Sequence, residues 1–325
     1  MRLAPVRVLI AGGAGFIGAE LVGRLLAEGH AVEVLDDLSG GSLANLAEAR
    51  RSGGAFRFHQ LDVTARACSD LVAHLRPDVI FHLAGVSPSL GHADPPRDAE
   101  VTVVGLLRLL EGARAAGSRK VVMASSWACY GELSPTELPA HEHLAMRPST
   151  PHGIAKRSAV DYLAAARERH GIEFSALVLA SVYGPRQLAS QEPGCVARFA
   201  RAAASGRPLR IEGDGSQTRD FLYIDDAVDA LSRAAERGSG LVLNVGTGQP
   251  TAISELAARF AAAVASPLAV ERVPARLDES MHVALDPARA LIHLGWRPFT
   301  PLGAGVAALL EAVAREQTAV GEVHA

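Results

Sequence analysis

The run Gly12-Gly13-Ala14-Gly15-Phe16-Ile17-Gly18 constrains what this chain can fold into more than any other feature. It joins a short β-rich segment, Val6–Ile10, to a longer one, Phe16–Glu28, whose apolar residues recur at helical spacing. Gly13, Gly15 and Gly18 spell GxGxxG, and Gly12, Gly15 and Gly18 spell GxxGxxG. Glycines so spaced let the turn close, let the backbone approach a pyrophosphate, and seat that anion on the N-terminus of the following helix. The next β-rich run ends in Asp36-Asp37. A carboxylate there accepts hydrogen bonds from an adenosine ribose and repels a 2′-phosphate, so NAD is expected in preference to NADP. Asp62, closing the third such run, is a second candidate for the adenine end of the cofactor.

The rest of the N-terminal half repeats the alternation. Strands are expected at Ala31–Leu35, Phe56–Leu61, Val79–Leu83, Lys120–Ala124 and Ser175–Leu179, with helices at Cys68–His74, Val101–Ala116 and Ile154–His170. This is an α/β chain: a Rossmann-type doubly wound parallel sheet over residues 1–180, with 219–246 expected to return to it. Residues 181–218 and 247–325 break into turn-rich pieces before helices at Thr251–Val264 and Pro301–Ala314, and read as a smaller, mixed α/β substrate-binding lobe. A net charge of −3 provides no electrostatic footprint for nucleic acid or an anionic membrane. No stretch is long and apolar enough for a membrane span, and the start lacks a secretory signal pattern, so a cytoplasmic protein is expected. Cys68, Cys129 and Cys195 have neither disulfide-frame nor zinc spacing. His141-Glu142-His143 lacks an apparent third ligand and reads as a loop over the cleft; no metal is expected. Only Lys120 and Lys156 among 32 basic residues are lysine, so each lysine calls for a specific reason.

Gly12–Gly18, Asp36-Asp37-Leu38-Ser39, Leu61-Asp62-Val63, His82-Leu83-Ala84-Gly85, Ser125-Ser126 with Tyr130-Gly131, Val182-Tyr183-Gly184-Pro185-Arg186-Gln187 and Gln217-Thr218-Arg219-Asp220-Phe221 follow one another in a familiar order. Together they resemble the extended short-chain dehydrogenase/reductases, in their nucleotide-sugar epimerase and dehydratase branch. The resemblance implies that Gly12, Gly15, Phe16, Ile17, Gly18, Asp36, Asp37, Asp62, Val63, Leu83, Ala84, Gly85 and Lys156 hold NAD. It implies that Ser126, Tyr130, Ser181, Arg186, Arg219 and Arg276 contact a nucleotide-diphosphate sugar, the two last as a diphosphate clamp. Family members pair a Ser with Tyr-x-x-x-Lys. Ser126 and Lys156 match, but the Tyr position is His152. His152 and Lys156 are four apart and share a helix face, so the pair survives with an imidazole, which titrates near neutrality, replacing a phenol.

Thr102, Ser181 and Val178 stand where the family usually has Asn, Asn and Arg, and Asp278-Glu279 and Met281 also depart from its pattern. Trp127, Ala128 and Cys129 occupy the places where the dehydratases and decarboxylases carry carboxylates. The resemblance therefore implies epimerisation at C4 through a transient keto sugar, with Ser126, His152 and Lys156 catalytic. Alternatives are a keto-sugar reductase or dehydrogenase, and a catalytically silent NAD- or sugar-nucleotide-binding protein. It also implies a homodimer, through helices Val101–Ala116 and Ile154–His170.

Overall fold

The computed structural model describes residues 5–189, 194–264, 267–275 and 281–323. Its first part runs β1 (Arg7–Ala11), α1 (Phe16–Ala27), β2 (Ala31–Asp36), α2 (Ala47–Arg51), β3 (Phe56–Gln60), α3 (Arg66–Leu75), β4 (Val79–His82), α4 (Pro88–Ala93), α5 (Pro95–Ala99), α6 (Gly105–Ala116), β5 (Lys120–Ser126), α7 (Pro151–His170) and β6 (Glu173–Leu179). The second part runs β7 (Ser181–Tyr183), α8 (Cys195–Ala204), β8 (Leu209–Glu212), β9 (Thr218–Arg219), β10 (Phe221–Tyr223), α9 (Ile224–Ala234), β11 (Leu241–Val245), β12 (Thr251–Ala252), α10 (Ile253–Ala262), β13 (Val270–Val273), α11 (Ala288–Leu294) and α12 (Leu302–Val323).

Seven strands form one parallel sheet in the order β11-β6-β5-β4-β1-β2-β3, the doubly wound arrangement expected from the sequence. β1 and β4 are nearly continuous apolar runs because helices cover the sheet on both faces, leaving them no solvent side. Successive residues still sort by face. Val8, Ile10 and Val122 join Leu21, Val22 and Leu25 of α1, whereas Leu9, Ala11, Val121 and Met123 join Leu106 and Leu109 of α6 and Leu163 of α7.

Four features of the sheet and the helices around it carry no periodic signal in the sequence. α4 and α5 are short and open on Pro88 and Pro95; proline reads as a helix breaker, yet it is tolerated in a first turn where its missing N–H is not needed. β11 lies far along the chain and is carried back to the sheet by α9, whose alanines 227, 230 and 234 are buried in the cluster that holds α1. A wide π turn, Glu100–Val104, leads into α6.

A third apolar cluster gathers Val196 and Phe199 of α8, Leu209 and Ile211 of β8, Phe260 of α10 and Leu309 of α12. Phe199 and Phe260 meet edge to face with ring centroids 6.0 Å apart. The fully buried Asp220 ties this region to the sheet: its carboxylate accepts from the backbone N–H groups of Thr247 at 2.9 Å, Gly248 at 3.1 Å and Leu285 at 3.1 Å.

Lys120, the first residue of β5, is 1% exposed and donates to the Arg237 carbonyl at 2.6 Å. Burial, with the nearby Arg119 charge adding to it, pushes its pKa down to about 8. An unfolded lysine keeps its proton to about pH 10.4. The folded protein thus loses this proton first, and stability rises with pH between those values. Urea titrations are expected to show the wild type gaining on the order of 2 kcal/mol over Lys120→Met between pH 7 and 10. The Arg237 carbonyl retains Ser175 Oγ as a donor in that variant. Parallel pH dependences of the two proteins would contradict the assignment.

Candidate active site

The glycine turn lies between β1 and α1 and against the segment that follows β4. Gly12 adopts φ +83, and a Cβ there would come within 2.5 Å of the Ala84 nitrogen. A Cβ on Gly18 would come within 2.1 Å of the Gly12 carbonyl oxygen, so the turn can sit on the helix only without side chains. Gly15 caps α1 without a side-chain hydrogen bond, leaving the first-turn N–H groups for a ligand. A Cβ on Gly85 would stand 3.4 Å from Lys156 Nζ, which places the lysine at the same crevice. A bare backbone cradle, a free helix N-terminus and an ammonium beyond it are what the diphosphate and ribose of NAD require. Gly12, Gly15, Phe16, Ile17, Gly18, Leu83, Ala84, Gly85 and Lys156 are the residues that would hold it.

Asp36 shapes this cradle directly. Its Oδ2 accepts from Ala14 N at 2.9 Å and its Oδ1 from Leu38 N at 2.8 Å, holding Leu38 at φ +65. Burial raises the Asp36 pKa above the usual carboxylate value against those two bonds. Asp37 and Asp62 share a partner with no motif in the sequence: Arg97 reaches Asp37 at 3.2 Å and Asp62 at 3.0 Å. Asp62 also accepts from Thr64, while the neighbouring Val63 is buried against Gly105.

α7 carries the catalytic candidates. Thr150 caps it by accepting from Gly153 N at 3.1 Å, Pro151 opens its first turn, and Gly171 at φ +68 ends it. A Cβ on Gly153 would meet the Ala128 carbonyl oxygen at 2.3 Å, so glycine lets the helix dock on the 127–129 turn. Ser126 Oγ caps that turn through Ala128 N at 3.2 Å. Lys156 Nζ donates to the Ala124 carbonyl at 3.0 Å, and burial lowers its pKa against the opposing pull of Asp98. Ser126, His152 and Lys156 are thereby gathered where the end of β5 meets the start of α7.

One member of this group was missed. The carboxylate of Asp98, wholly buried in α5, lies 3.0 Å through Oδ2 from His152 Nδ1 and accepts through Oδ1 from Thr102 Oγ1 at 3.0 Å. Burial alone would raise its pKa; the hydrogen bond and charge of His152, with the Thr102 hydroxyl, hold it below the usual range. Its only sequence signal was an acidic residue in a proline-rich stretch, 54 residues from His152. The Thr102 carbonyl lies 3.1 Å from His82 Nε2, and burial, with the Lys156 charge adding, pushes the His82 pKa down to about 4. His82 is therefore a neutral donor here.

The substrate candidates separate. Arg219 is buried, with its guanidinium carbon 5.7 Å from the ring centroid of Trp127, the residue after Ser126. Ser181 opens β7, half-buried, its N–H on the Asp220 carbonyl at 2.8 Å. Tyr130, expected at the substrate, is 1% exposed and donates to Asn244 Oδ1 at 2.8 Å; burial raises its pKa further, and its role is to join the end of β5 to β11. Arg186, expected beside it, is taken up by Glu20 at 2.7 Å, the Asn45 carbonyl at 3.2 Å and Glu48 at 3.4 Å, so it braces the 182–187 turn against α1 and α2. Arg276, Asp278 and Glu279 lie outside the described residues. Glu142 accepts from Asn244 N at 2.7 Å, and no group of three metal-ligating side chains occurs among the described residues.

The profile of the NAD dependent epimerase/dehydratase family matches residues 8–246. A UDP-glucose 4-epimerase of Mycolicibacterium smegmatis is 43% identical over 309 residues, 94% of this chain and 98% of its own. A dTDP-L-rhamnose 4-epimerase of Burkholderia thailandensis is 31% identical, covering 95% of each chain. Among solved structures, the Thermotoga maritima UDP-glucose 4-epimerase with UDP-glucose superposes with a TM-score of 0.88 at 32% identity, over 95% of this chain and 99% of the other. The Thermus thermophilus UDP-glucose 4-epimerase complexed with NAD does so with a TM-score of 0.87, also at 32% identity and over the same shares. With the glycine cradle, the seven-stranded parallel sheet and the Ser126–Lys156 cluster at the end of its strand β5, these matches place the chain in the NAD dependent epimerase/dehydratase family.

Proposed function

We propose that this protein is a UDP-sugar 4-epimerase in which His152 moves the proton of the C4 hydroxyl. The observation that carries the reading is a buried imidazole set one helical turn before a buried lysine, beside the serine that ends β5. The relatives named above as 4-epimerases support the choice of reaction. Trp127, Ala128 and Cys129 support it too: the turn after Ser126 offers no carboxylate for chemistry at C5 or C6. When bound, NAD supplies the hydride acceptor at C4 and afterwards the donor, so no external reductant is consumed.

The chain's own groups handle the oxygen. His152 accepts the hydroxyl proton as the carbinol is oxidised and returns it when the opposite configuration forms. Ser126 donates to the oxygen, and Lys156 fixes the cofactor ribose and its positive charge favours negative charge developing nearby. Arg219 grips the diphosphate. In this reading residues 1–180 with 219–246 carry the cofactor, and 181–218 with 247–325 carry the sugar nucleotide. α6 and α7 form a homodimer interface, an assignment supported by exposed Leu107, Ile154 and Tyr162. Light scattering is expected to give twice the chain mass; a monomer would refute the dimer.

His152→Phe is expected to lower turnover of UDP-glucose or UDP-galactose by on the order of 10²–10⁴ while NAD stays bound, since general acid–base groups contribute about that much. His152→Tyr, which restores the residue usual in the family, is expected to retain appreciable activity. Near-wild-type turnover in His152→Phe would overturn the role of His152.

A further inference from the structure

We infer that Asp98 is a positioning residue that fixes the tautomer of His152 and aims its other nitrogen at the substrate. This rests on the reading of His152 as the proton carrier. An ionised carboxylate only accepts hydrogen bonds, so at 3.0 Å from Oδ2 the Nδ1 atom of His152 must carry the hydrogen. In the neutral ring, the form that can take up a proton, Nε2 is then the bare nitrogen, and it has no hydrogen-bond partner among the described residues.

The pair is built into the fold rather than met by chance. Asp98 is wholly buried, where an unpaired carboxylate is strongly disfavoured. Its second oxygen is held by Thr102 Oγ1, and the π turn that carries Thr102 is pinned to the sheet by His82 Nε2 on the Thr102 carbonyl. The imidazole is thus braced through three side chains to the end of β4. Gly91 supplies the room: a Cβ there would stand 2.5 Å from Asp98 Oδ2 and 3.5 Å from the His152 Cβ. A phenol in place of His152 has no tautomer to set, so the tautomer-fixing effect of Asp98 is confined to an imidazole.

The proton step balances within this frame. The O–H bond of the substrate hydroxyl breaks, Nε2 takes the proton, and the resulting imidazolium faces the carboxylate, which stays ionised. On return, the N–H bond breaks and the proton rejoins the sugar oxygen. In Asp98→Asn the Thr102 hydroxyl holds the amide oxygen and turns the NH₂ toward Nδ1. Nδ1 must then accept, the hydrogen moves to Nε2, and the base is blocked.

Long-range ¹H–¹⁵N correlation spectra of the NAD-loaded protein read the tautomer without turnover, with His152 identified by the signal lost in His152→Tyr. The wild type is expected to show Nδ1–H, and Asp98→Asn to show Nε2–H. Asp98→Asn is further expected to lower kcat by on the order of 10²–10⁴, as a reversed tautomer does in related hydrogen-bonded pairs, with KM and NAD content within a few-fold of wild type. Adding Asp98→Asn to His152→Tyr is expected to change kcat less than a few-fold. Thr102→Val, which leaves the carboxylate in place, is expected to lower kcat less than Asp98→Asn and serves if that variant does not fold. An Nε2–H signal in wild type, or equal losses from Asp98→Asn in the His152 and His152→Tyr backgrounds, would overturn the positioning role. Full turnover in His152→Phe would instead remove the underlying reading, so the two failures are distinguishable.

Discussion

The ammonium of Lys156 on the carbonyl of Ala124 is the contact on which the rest of the site depends. It joins the first turns of α7 to the end of β5. Gly153 completes the joint by letting the helix approach the Ala128 carbonyl more closely than any side chain would allow. With the helix fixed there, residue 152 is set by the 3.6-residue period, one turn before the lysine and near the Ser126-capped turn. Were α7 to rotate by one residue, His152 would leave Asp98 and Lys156 would leave the cofactor crevice.

That joint carries an electrostatic cost that the neighbouring residues offset. A buried ammonium or carboxylate is disfavoured by several kcal/mol if unpaired. Lys156 and Asp98 lie in the same dry volume, each lessening the other's cost, and Thr102, His152 and a backbone carbonyl supply the hydrogen bonds. His82 stays neutral in the same surroundings. At the far end of the crevice the solution differs: Asp37, Asp62 and Arg97 are partly exposed, and water shares in solvating them.

The sheet was legible because its signals are local. Apolar runs, the glycine turn and the acidic end of β2 each lie within a dozen residues. The lone buried lysine of α7 stood out only because arginine serves almost everywhere else in this chain. What was not legible depends on distant partners. Tyr130 looks like a site residue in a motif, but its hydroxyl belongs to Asn244, and Arg186 belongs to Glu20 and Glu48. Asp98 and Arg97 carry no motif of their own. Their roles come from α5, a helix hidden by its prolines, and from a π turn that no period of 3.6 announces.

The central claim is that an imidazole, aimed by a buried carboxylate, stands where the reacting hydroxyl must lie. A crystal structure of the wild-type protein with NAD and a UDP-sugar tests it most directly. The account predicts His152 Nε2 within about 3 Å of the sugar O4, Asp98 still on Nδ1, and Ser126 Oγ on the same sugar oxygen. A sugar whose O4 is held by Ser126 and a water, with His152 Nε2 turned away from it, would contradict the account.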